Sequence, residues 1–521
     1  PPRSTLFPYT TLFRSAYSDY IGGYIDLGIP ANTEAYRFFH GYGDWKEKLV
    51  VPKNPTNNLG MGFFQPRQNA WQEPCFLNEP PNNENLPISY LMGKLSNGHC
   101  FGVVPTNRFG QQSLIRSCEL LDFPLGLKIV SGNFLPRQKY DHLAGAMILF
   151  GEDPIQVSEE ILTAYMHLVN RPYGLREFKE YPEMFEYLGF CTWNTFYAAV
   201  DIQGIRDLAQ ENFTKNCGSD RFKYLIIDDG WQSVNGCDLT PIPTVKNQQI
   251  PRGLTHFEAN HKFPKGLKEA AQIIKDEYGI KWLGVWHAVG GYWPGVEPNS
   301  PLGQKYSLLI NGDSAYPDPE NMKGYEFWVD YYKYMRSSGI DLVKIDNQCS
   351  LSSNFYGKLP MDYAMENYYL MQQGAAYAQN IVILNCMCMA SDNKLHWTKS
   401  NVSRVSDDFY PGNLPACKHQ IKQCTFNPLF YARFCWPDHD MCQTSSDAYH
   451  PLILMHMVSG GPIYIADEVG ETKSEVINKI CFPDGKLPRL DRPGVPTIDA
   501  IFGNDHQNMA CKMGNYHDLA G

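Results

Sequence analysis

A lysine and a carboxylate stand two positions apart at the end of an apolar stretch, at Lys344 and Asp346. The stretch, residues 339–346, is typical of a buried parallel β-strand, and α/β folds place their chemistry at the carboxyl ends of such strands. Side chains alternate along a strand with a period of two, so both residues point to the same side. Together they could hold a substrate hydroxyl and attack a carbon. The alternative is a buried structural ion pair.

A second acidic site follows another apolar stretch, where Asp228 and Asp229 precede Gly230 and Trp231. Adjacent carboxylates on a tight turn can accept hydrogen bonds from two neighbouring hydroxyls, and charged acceptors make strong, oriented bonds. Trp231 can offer an apolar face to a ring. Taken alone, this pattern is more often a turn or a helix cap. Its position at the end of a predicted strand favours a binding role.

Arg404 and Asp407 belong to a third polar segment. Cleavage of a glycosidic bond requires one carboxylate as nucleophile or base and another as acid, on opposite sides of the anomeric carbon. Asp346 and Asp407 end the fourth and sixth predicted strands, from which they can face each other across a sugar. Their mutual repulsion would raise one pKa, as a general acid requires. Arg404 would orient Asp407 or bind a hydroxyl, unless the two form a surface salt bridge.

These residues need a scaffold that brings several strand ends together. After Tyr181 the sequence alternates apolar strands with amphipathic helices, which is the pattern of βαβ units and predicts a (β/α)₈ TIM barrel. The eight predicted strands end at Trp193, Asp228, His287, Asp346, Cys386, Asp407, Trp436 and Asp467. Helices are predicted over residues 264–278 and 325–338. The short interval between Cys386 and Asp407 leaves room for a stunted helix or none.

The flanking regions differ from this alternating pattern. Residues 16–178 show short β-like runs broken by Asn, Pro and Gly, which predicts an N-terminal β-sandwich domain with a helix over 158–169. The catalytic barrel is predicted over 179–485, and 486–521 as a linker and the start of an incomplete C-terminal β-domain. Residues 1–15 look like the translation of a sequencing-adapter oligonucleotide and are excluded as non-native. The native N-terminus is then missing, so the sequence indicates no compartment.

Composition narrows the class of partner. The chain has 521 residues, enough for two or three domains, and a formal net charge of −10 without basic clusters, which argues against nucleic acid or an anionic membrane. No apolar run approaches the roughly 20 residues needed to span a bilayer. The 15 cysteines are scattered rather than spaced as a disulfide framework. Aromatic residues make up 13% of the chain, which favours a ring-bearing ligand such as a small oligosaccharide. The oligomeric state is not indicated.

Two segments mimic binding motifs. Cys435 to Cys442 contains metal-ligand residue types, but their spacing matches no tetrahedral zinc pattern. Gly460 and Gly461 precede a predicted strand rather than a helix, so a turn or a close backbone approach is expected there instead of a phosphate loop. We therefore expect neither a metal nor a cofactor.

Six motifs together resemble the raffinose synthase and seed imbibition protein branch of the family 36 glycoside hydrolases. In chain order they are Gly189-Phe190-Cys191-Thr192-Trp193, Ile226-Ile227-Asp228-Asp229-Gly230-Trp231-Gln232-Ser233, Val285-Trp286-His287-Ala288, Val343-Lys344-Ile345-Asp346, Arg404-Val405-Ser406-Asp407-Asp408 and Ser459-Gly460-Gly461-Pro462-Ile463-Tyr464. The resemblance implies a retaining α-galactosidase-like barrel between an N-terminal β-sandwich and a C-terminal β-domain.

The resemblance also implies residue roles. By motif, Asp346 matches the nucleophile and Asp407 the acid/base. Galactose-hydroxyl ligands are implied at Lys344, Asp228, Asp229 and Arg404, a sugar-stacking or pocket-wall residue at Trp193, and pocket-lining positions at His287 and Cys386. Where the family has an acidic residue directly after the first-strand tryptophan, this chain has Asn194. The charge lost there would weaken a hydroxyl contact or admit a different substituent.

We therefore expect a retaining hydrolase that removes terminal α-galactosyl groups from oligosaccharides, acting without metal or cofactor. The first alternative is a galactosyltransferase that moves the same sugar from galactinol to sucrose, and we expect hydrolysis instead because nothing outside the barrel motifs is specific to plant synthases. A non-catalytic sugar-binding relative is a second alternative. A third is another sugar, such as N-acetylgalactosamine or glucose, with the same chemistry.

Overall fold

The structure is a computed structural model that describes residues 22–26, 33–42, 71–77, 88–106, 111–118, 123–131, 145–218, 220–235, 253–355, 358–390, 393–446, 449–502 and 512–515. The predicted adapter-derived segment, residues 1–15, lies outside the described residues.

The amino-terminal part consists of antiparallel strands, as the short β-like runs predict. They are β1 (Gly22–Asp26), β2 (Thr33–Tyr42), β3 (Trp71–Leu77), β4 (Ile88–Leu95), β5 (Cys100–Pro105), β6 (Gln111–Cys118), β7 (Phe123–Ser131) and β8 (Ala146–Gly151). One hydrogen-bonded network joins them in the order β1-β7-β6-β4-β2-β3, and it branches at β4, which also pairs with β5. Strand β5 pairs in turn with β8.

The α-helices begin where the antiparallel strands end. They are α1 (Pro154–Leu168), α2 (Trp193–Phe196), α3 (Ile202–Leu208), α4 (Gly266–Gln272), α5 (Pro301–Lys305), α6 (Met322–Ser337), α7 (Leu351–Phe355), α8 (Met361–Ala378), α9 (Leu414–Phe426), α10 (Pro428–Tyr431), α11 (Tyr449–Ser459), α12 (Ser474–Ile480) and α13 (Ile498–Ile501). Two π-helical segments, Ala209–Asn216 and Ile273–Glu277, extend α3 and α4.

The remaining strands alternate with these helices. They are β9 (Gly189–Cys191), β10 (Tyr224–Ile227), β11 (Gln232–Val234), β12 (Leu254–Ala259), β13 (Trp282–Ala288), β14 (Leu308–Asn311), β15 (Ser314–Pro317), β16 (Leu342–Asp346), β17 (Val382–Asn385), β18 (Val402–Arg404), β19 (Trp436–Asp438), β20 (Tyr464–Ile465), β21 (Val495–Pro496) and β22 (Met513–Gly514).

Eight of these strands form a curled parallel sheet. Its order is β19-β18-β17-β16-β13-β10-β9-β20, so the last of the eight along the chain lies beside the first. Beyond β19, Cys442 makes a parallel bridge with Ile465 of β20, and the Ala466 amide donates to the Cys442 carbonyl at 2.9 Å. The sheet therefore curves back towards its own first strand, and the strand ends are drawn towards one region.

The helix termini follow from the sequence. At the start of α1 the Asp153 carboxylate accepts the Ile155 amide at 2.8 Å, and Pro154 occupies a first-turn position that needs no amide donor. Asn321 caps α6 in the same way, and Gly339, with φ of +87°, ends it. Between β17 and β18 the described residues contain only a 3₁₀ turn, Asn393–His396, which confirms the prediction of a stunted crossover there.

Strand β3 joins the amino-terminal sheet to the parallel-sheet unit. The Gln72 side-chain amide donates to the Met389 carbonyl at 3.1 Å. In return, Gln423 and Asn427 donate to the Gln72 carbonyl at 3.1 and 2.9 Å. Trp71 is buried in an apolar cluster that also contains residues of both units. The two units therefore share a core.

The described cysteines are free thiols, and all but Cys217 and Cys349 among them are buried. None of the helices in the described ranges combines the length and apolarity needed to cross a bilayer.

The close backbone approach predicted for the Gly460–Gly461 pair can be tested by substitution of Gly461. A Cβ on Gly461 would lie 1.8 Å from the Pro437 carbonyl oxygen, which is backbone and cannot move aside cheaply. We expect Gly461→Ala to lower the free energy of unfolding by about 3 kcal/mol, measured by denaturant unfolding.

Gly374→Ala is the matched control. Gly374 lies inside α8, and a Cβ there would meet no atom within 4 Å. Because alanine is the better helix former, this variant should be more stable by about 1 kcal/mol. Equal effects of the two substitutions would contradict the steric explanation.

Candidate active site

Alternation along the parallel strands decides which side chains meet inside the curled sheet. In β16, Lys344 and Asp346 lie on the inner side, as the period of two predicts. The inner side also carries Asp228 just after β10 and Arg404 at the end of β18, and both are buried. The structure therefore brings together charged residues from strands that are far apart in sequence.

Asp346 is a buried carboxylate held by two donors. The Trp286 indole N–H donates to its Oδ2 at 2.9 Å, and the Asn347 amide to its Oδ1 at 2.6 Å. Burial raises the pKa of Asp346; the nearby Lys344 charge opposes that rise, and the Asp408 charge adds to it. Its orientation is fixed while 8% of the residue remains accessible. A carboxylate held in this way is suited to attack a carbon that a bound substrate brings within reach.

Lys344 pairs with Asp228 rather than with Asp346. Its Nζ lies 2.7 Å from Asp228 Oδ2, and both side chains are 4% exposed. Burial alone would lower the pKa of Lys344, but the charge of Asp228 and other nearby groups hold it well above its usual value. The Cys191 thiol also donates to Asp228 Oδ2, at 3.2 Å. The ion pair predicted as an alternative therefore exists, with a different acid.

Asp229 occupies the turn after β10. The Trp293 indole donates to its Oδ2 at 2.9 Å. Burial raises the pKa of Asp229 to about 6, against the hydrogen bonds from Trp293 and Tyr292, and the Asp228 and Asp346 charges add to the rise. The turn needs Gly230, which has φ of +121° and a Cβ position only 2.5 Å from the Ala198 carbonyl oxygen.

Arg404 is fully buried and is bound by two carboxylates. Its Nη1 lies 2.8 Å from Asp440 Oδ1, and its Nη2 lies 3.1 Å from Asp408 Oδ1. The guanidinium stacks over the Trp71 ring, 5.0 Å from the centroid, so the amino-terminal sheet covers it. The predicted alternative of a surface salt bridge between Arg404 and Asp407 is wrong, because Arg404 has no exposed surface.

The two adjacent acids after β18, Asp407 and Asp408, make different contacts. The Asp407 amide donates to Gln423 Oε1 at 2.8 Å, and Asp407 Oδ1 accepts the Asp408 amide at 2.7 Å. The Asp408 charge raises the pKa of Asp346. Asp408 therefore acts on Asp346 through its charge and is bound by Arg404. The family resemblance implies the neighbouring residue, Asp407, as the acid/base.

Two residues expected in the pocket lie in packed surroundings. Trp231 is fully buried, and its indole N–H donates to the Trp286 carbonyl at 2.8 Å, so it offers no open face for stacking. His287 follows the inward-pointing Trp286 and therefore points outward. There its Nε2 lies 3.2 Å from the Tyr332 hydroxyl of α6, and burial lowers its pKa to about 4. Trp231 and His287 are therefore core residues, and the prediction that they contact the substrate is corrected.

Trp193, Asn194 and Cys386 lie close to the charged residues. Trp193 opens α2, is partly exposed and packs edge-on against Tyr197 at 5.3 Å. Cys386 is buried beside Arg404, with Nη1 at 3.4 Å from Sγ. The Asn194 amide donates to the Phe409 carbonyl at 3.4 Å, a contact that an aspartate could not make.

The segment considered as a metal-motif mimic contributes to the interior of the site. Strand β19 starts at Trp436, the residue predicted to end it; its Asp438 lies opposite the inward-pointing Arg404, and Asp440, beyond the strand, contacts Arg404 directly. The Tyr464 hydroxyl donates to Asp438 Oδ2 at 2.9 Å. Burial raises the pKa of Asp440 to about 6 against the Arg404 charge. Within the described ranges, no group of three or more His, Cys, Asp or Glu residues is arranged to hold a metal ion.

Comparison with known proteins gives a consistent result. The sequence profile described as "Raffinose synthase or seed imbibition protein Sip1" matches residues 136–516. "Probable galactinol–sucrose galactosyltransferase 6" of Arabidopsis thaliana is 31% identical over 384 residues, covering 68% of this chain and 50% of the relative. Galactinol–sucrose galactosyltransferase of Pisum sativum is 28% identical over 428 residues, covering 68% and 53%. The chain spans about half the length of these curated relatives.

A solved structure matches the fold at low identity. An alpha-galactosidase from Thermus thermophilus in complex with stachyose is 17% identical, with a TM-score of 0.53, and the match covers 90% of this chain and 94% of that one. At this identity the match shows the fold: an α/β protein with a curled parallel sheet, like that of the α-galactosidase.

Replacement of Asp229 by asparagine tests the cost of its buried charge. A folded pKa near 6, against an ordinary value of 3.8, means that the ionised form opposes folding as the pH rises through this range. Asparagine has no such charge and can still accept the Trp293 hydrogen bond. We expect Asp229→Asn to be more stable than the wild type at pH 8, by up to about 3 kcal/mol, and equally stable near pH 4.

Denaturant unfolding at the two pH values measures this difference. Asp313→Asn, on an exposed turn, should change stability by less than about 0.5 kcal/mol at either pH. A stability difference for Asp229→Asn that does not change with pH would contradict the assignment.

Proposed function

The chain belongs to the raffinose synthase or seed imbibition protein family, and from this we propose that it transfers terminal α-galactosyl groups of small oligosaccharides by double displacement. The observation that carries the proposal is a buried, donor-held carboxylate, Asp346, with the charge of a second carboxylate, Asp408, acting on it. Retaining glycosidases use two such carboxylates.

The chemistry would proceed in two balanced steps. Asp346 attacks the anomeric carbon while an acid protonates the departing glycosidic oxygen, leaving the galactosyl group esterified to Asp346. The residue that served as the acid is now deprotonated and acts as a base. It takes a proton from water or from a sugar hydroxyl, and the oxygen of that molecule displaces Asp346 from the anomeric carbon. Water gives hydrolysis and a hydroxyl gives transfer. The names of the relatives support transfer at least as well as the hydrolysis that we expected.

Galactose hydroxyls would be bound by Asp228, Asp229 and Lys344, beside the nucleophile. The Lys344–Asp228 pair is formed before a substrate arrives, so its donors and acceptors are already oriented. Trp193, partly exposed at the start of α2, would form a wall against the sugar ring. Arg404 and Cys386 would support the site from its buried side.

The acid/base role falls on one of two neighbours. The family motif favours Asp407, whereas the contacts favour Asp408, which is bound by Arg404 and acts on Asp346. We assign the role to Asp408.

We also propose a domain organisation. Residues 16–178 would form an N-terminal β-sandwich domain, 179–485 a (β/α)₈ barrel closed between β19 and β20, and 486–521 a C-terminal β region. The sequential order of the parallel strands and the Cys442–Ile465 bridge support the barrel.

Product analysis with galactinol tests the reaction. With sucrose present, we expect the galactosyl group to appear in a trisaccharide, and without sucrose to appear as free galactose. Asp346→Ala should lower both products by at least about 1,000-fold, because the covalent intermediate cannot form. Asp313→Asn should keep wild-type rates.

Wild-type turnover by Asp346→Ala would show that the nucleophile is wrong. Calorimetric binding of galactose without any product would instead indicate a sugar-binding protein. A screen of aryl glycosides that differ at C2 and C4 would show whether the sugar is galactose, N-acetylgalactosamine or glucose.

Substrates with different leaving groups test the assignment of the acid. Fluoride leaves α-galactosyl fluoride with little need of a proton donor, whereas the alkoxide of galactinol needs one. We expect Asp408→Ala to lose about 100- to 10,000-fold on galactinol and much less on the fluoride. Asp407→Ala should lose less on galactinol. The reverse order would return the role to Asp407.

A further inference from the structure

Asp440 lies just beyond β19 and makes an unusual set of contacts for a residue outside the six family motifs. It is fully buried, with φ of +69°, a left-handed conformation that is uncommon for a residue with a side chain. Its amide donates to Asp438 Oδ1 at 2.9 Å, and its carbonyl lies 2.7 Å from His456 Nε2. These contacts hold the backbone of Asp440 in place.

The two oxygens of this carboxylate bracket Asp408. Oδ1 lies 2.8 Å from Arg404 Nη1, and the other terminal nitrogen of Arg404 donates to Asp408 Oδ1 at 3.1 Å. Oδ2 accepts the amide of Phe409, the next residue after Asp408, at 2.7 Å. One side chain therefore holds both the side-chain partner of Asp408 and the main chain beside it.

Asp408 needs such a restraint. Its side chain is 32% exposed, and it follows β18, which ends at Arg404. Asp440 and Arg404, by contrast, have no exposed side-chain surface. The buried pair is thus a rigid base on which a partly exposed carboxylate can be oriented.

We propose that Asp440 is a positioning residue that directs the Asp408 carboxylate towards the bond to be cleaved. The inference rests on the proposed function. Asp440 does not touch the substrate; it acts through Arg404 and through the Phe409 amide. Removing the charge of Asp440 would leave the Asp408 carboxylate chemically unchanged but free to take other orientations. Proton donation by Asp408 would then be slower, whereas attack by Asp346 would be unaffected.

Asp440→Asn tests this selectively. Asparagine keeps the size and can still accept one hydrogen bond, but it loses the ion pair with Arg404. We expect kcat/KM on galactinol to fall about 10- to 100-fold more than on α-galactosyl fluoride, mainly through kcat. Added azide should intercept the covalent intermediate and give α-galactosyl azide, with rate recovery on the fluoride.

Asp438→Asn is the matched control, because it makes the same chemical change on the same segment. Asp438 accepts hydrogen bonds from the Tyr464 hydroxyl and the Asp440 amide, and asparagine can keep both contacts because a hydroxyl can accept as well as donate. Arg404 acts on Asp438 through its charge without an ion-pair contact. Any loss of activity should be equal on the two substrates, without azide recovery. Asp440→Glu keeps the charge and displaces it by one methylene group, so it should show the selective loss even if Asp440→Asn does not fold.

The outcomes separate the two proposals. If the wild type turns over neither substrate, the proposed function fails, and this inference fails with it. If the wild type is active and the Asp440 variants lose activity equally on both substrates, or lose none, only the positioning role is overturned. A selective loss on galactinol supports it.

Discussion

Burial of the Arg404 guanidinium is the constraint on which the rest of the site depends. A guanidinium cannot give up its charge at any ordinary pH, so its removal from water must be offset by carboxylates and by ring contacts. Asp440 and Asp408 supply the charge, and Trp71 supplies the ring. Loss of one partner of such a buried pair costs about 3–5 kcal/mol. Strands β18 and β19 and the amino-terminal sheet are thereby held together around one cation.

The remaining charges divide into two kinds. Lys344 and Asp228 neutralise each other at 2.7 Å and form a fixed polar wall. Asp229 and Asp346 have neutral donors instead, chiefly indole N–H groups of Trp293 and Trp286, and burial raises the pKa of both. A carboxylate satisfied by neutral donors keeps more of its capacity to interact with a ligand than one committed to a lysine.

Much of the site could be predicted because parallel strands end at a common edge. The strands ending near Asp228, Asp346 and Cys386, the short crossover after Cys386 and the helix closed by Gly339 all followed from local patterns. Position within a strand was harder. A one-residue difference reverses the side to which a side chain points, which is why His287 faces α6 and why the inner position of Asp440 was missed. The proposed choice of Asp408 over Asp407 rests on Arg404, whose partners come from distant parts of the chain.

The stacking of Trp71 on Arg404 has a consequence for how such a protein can change over evolutionary time. Strand β3 lies more than 300 positions before the cation that it covers, and Gln72 beside it bonds to Met389 and to the end of α9, at Gln423 and Asn427. Replacement of the amino-terminal sheet by an unrelated domain would therefore uncover this arginine. The two units would have to be exchanged as a pair for the cation to keep its ring contact.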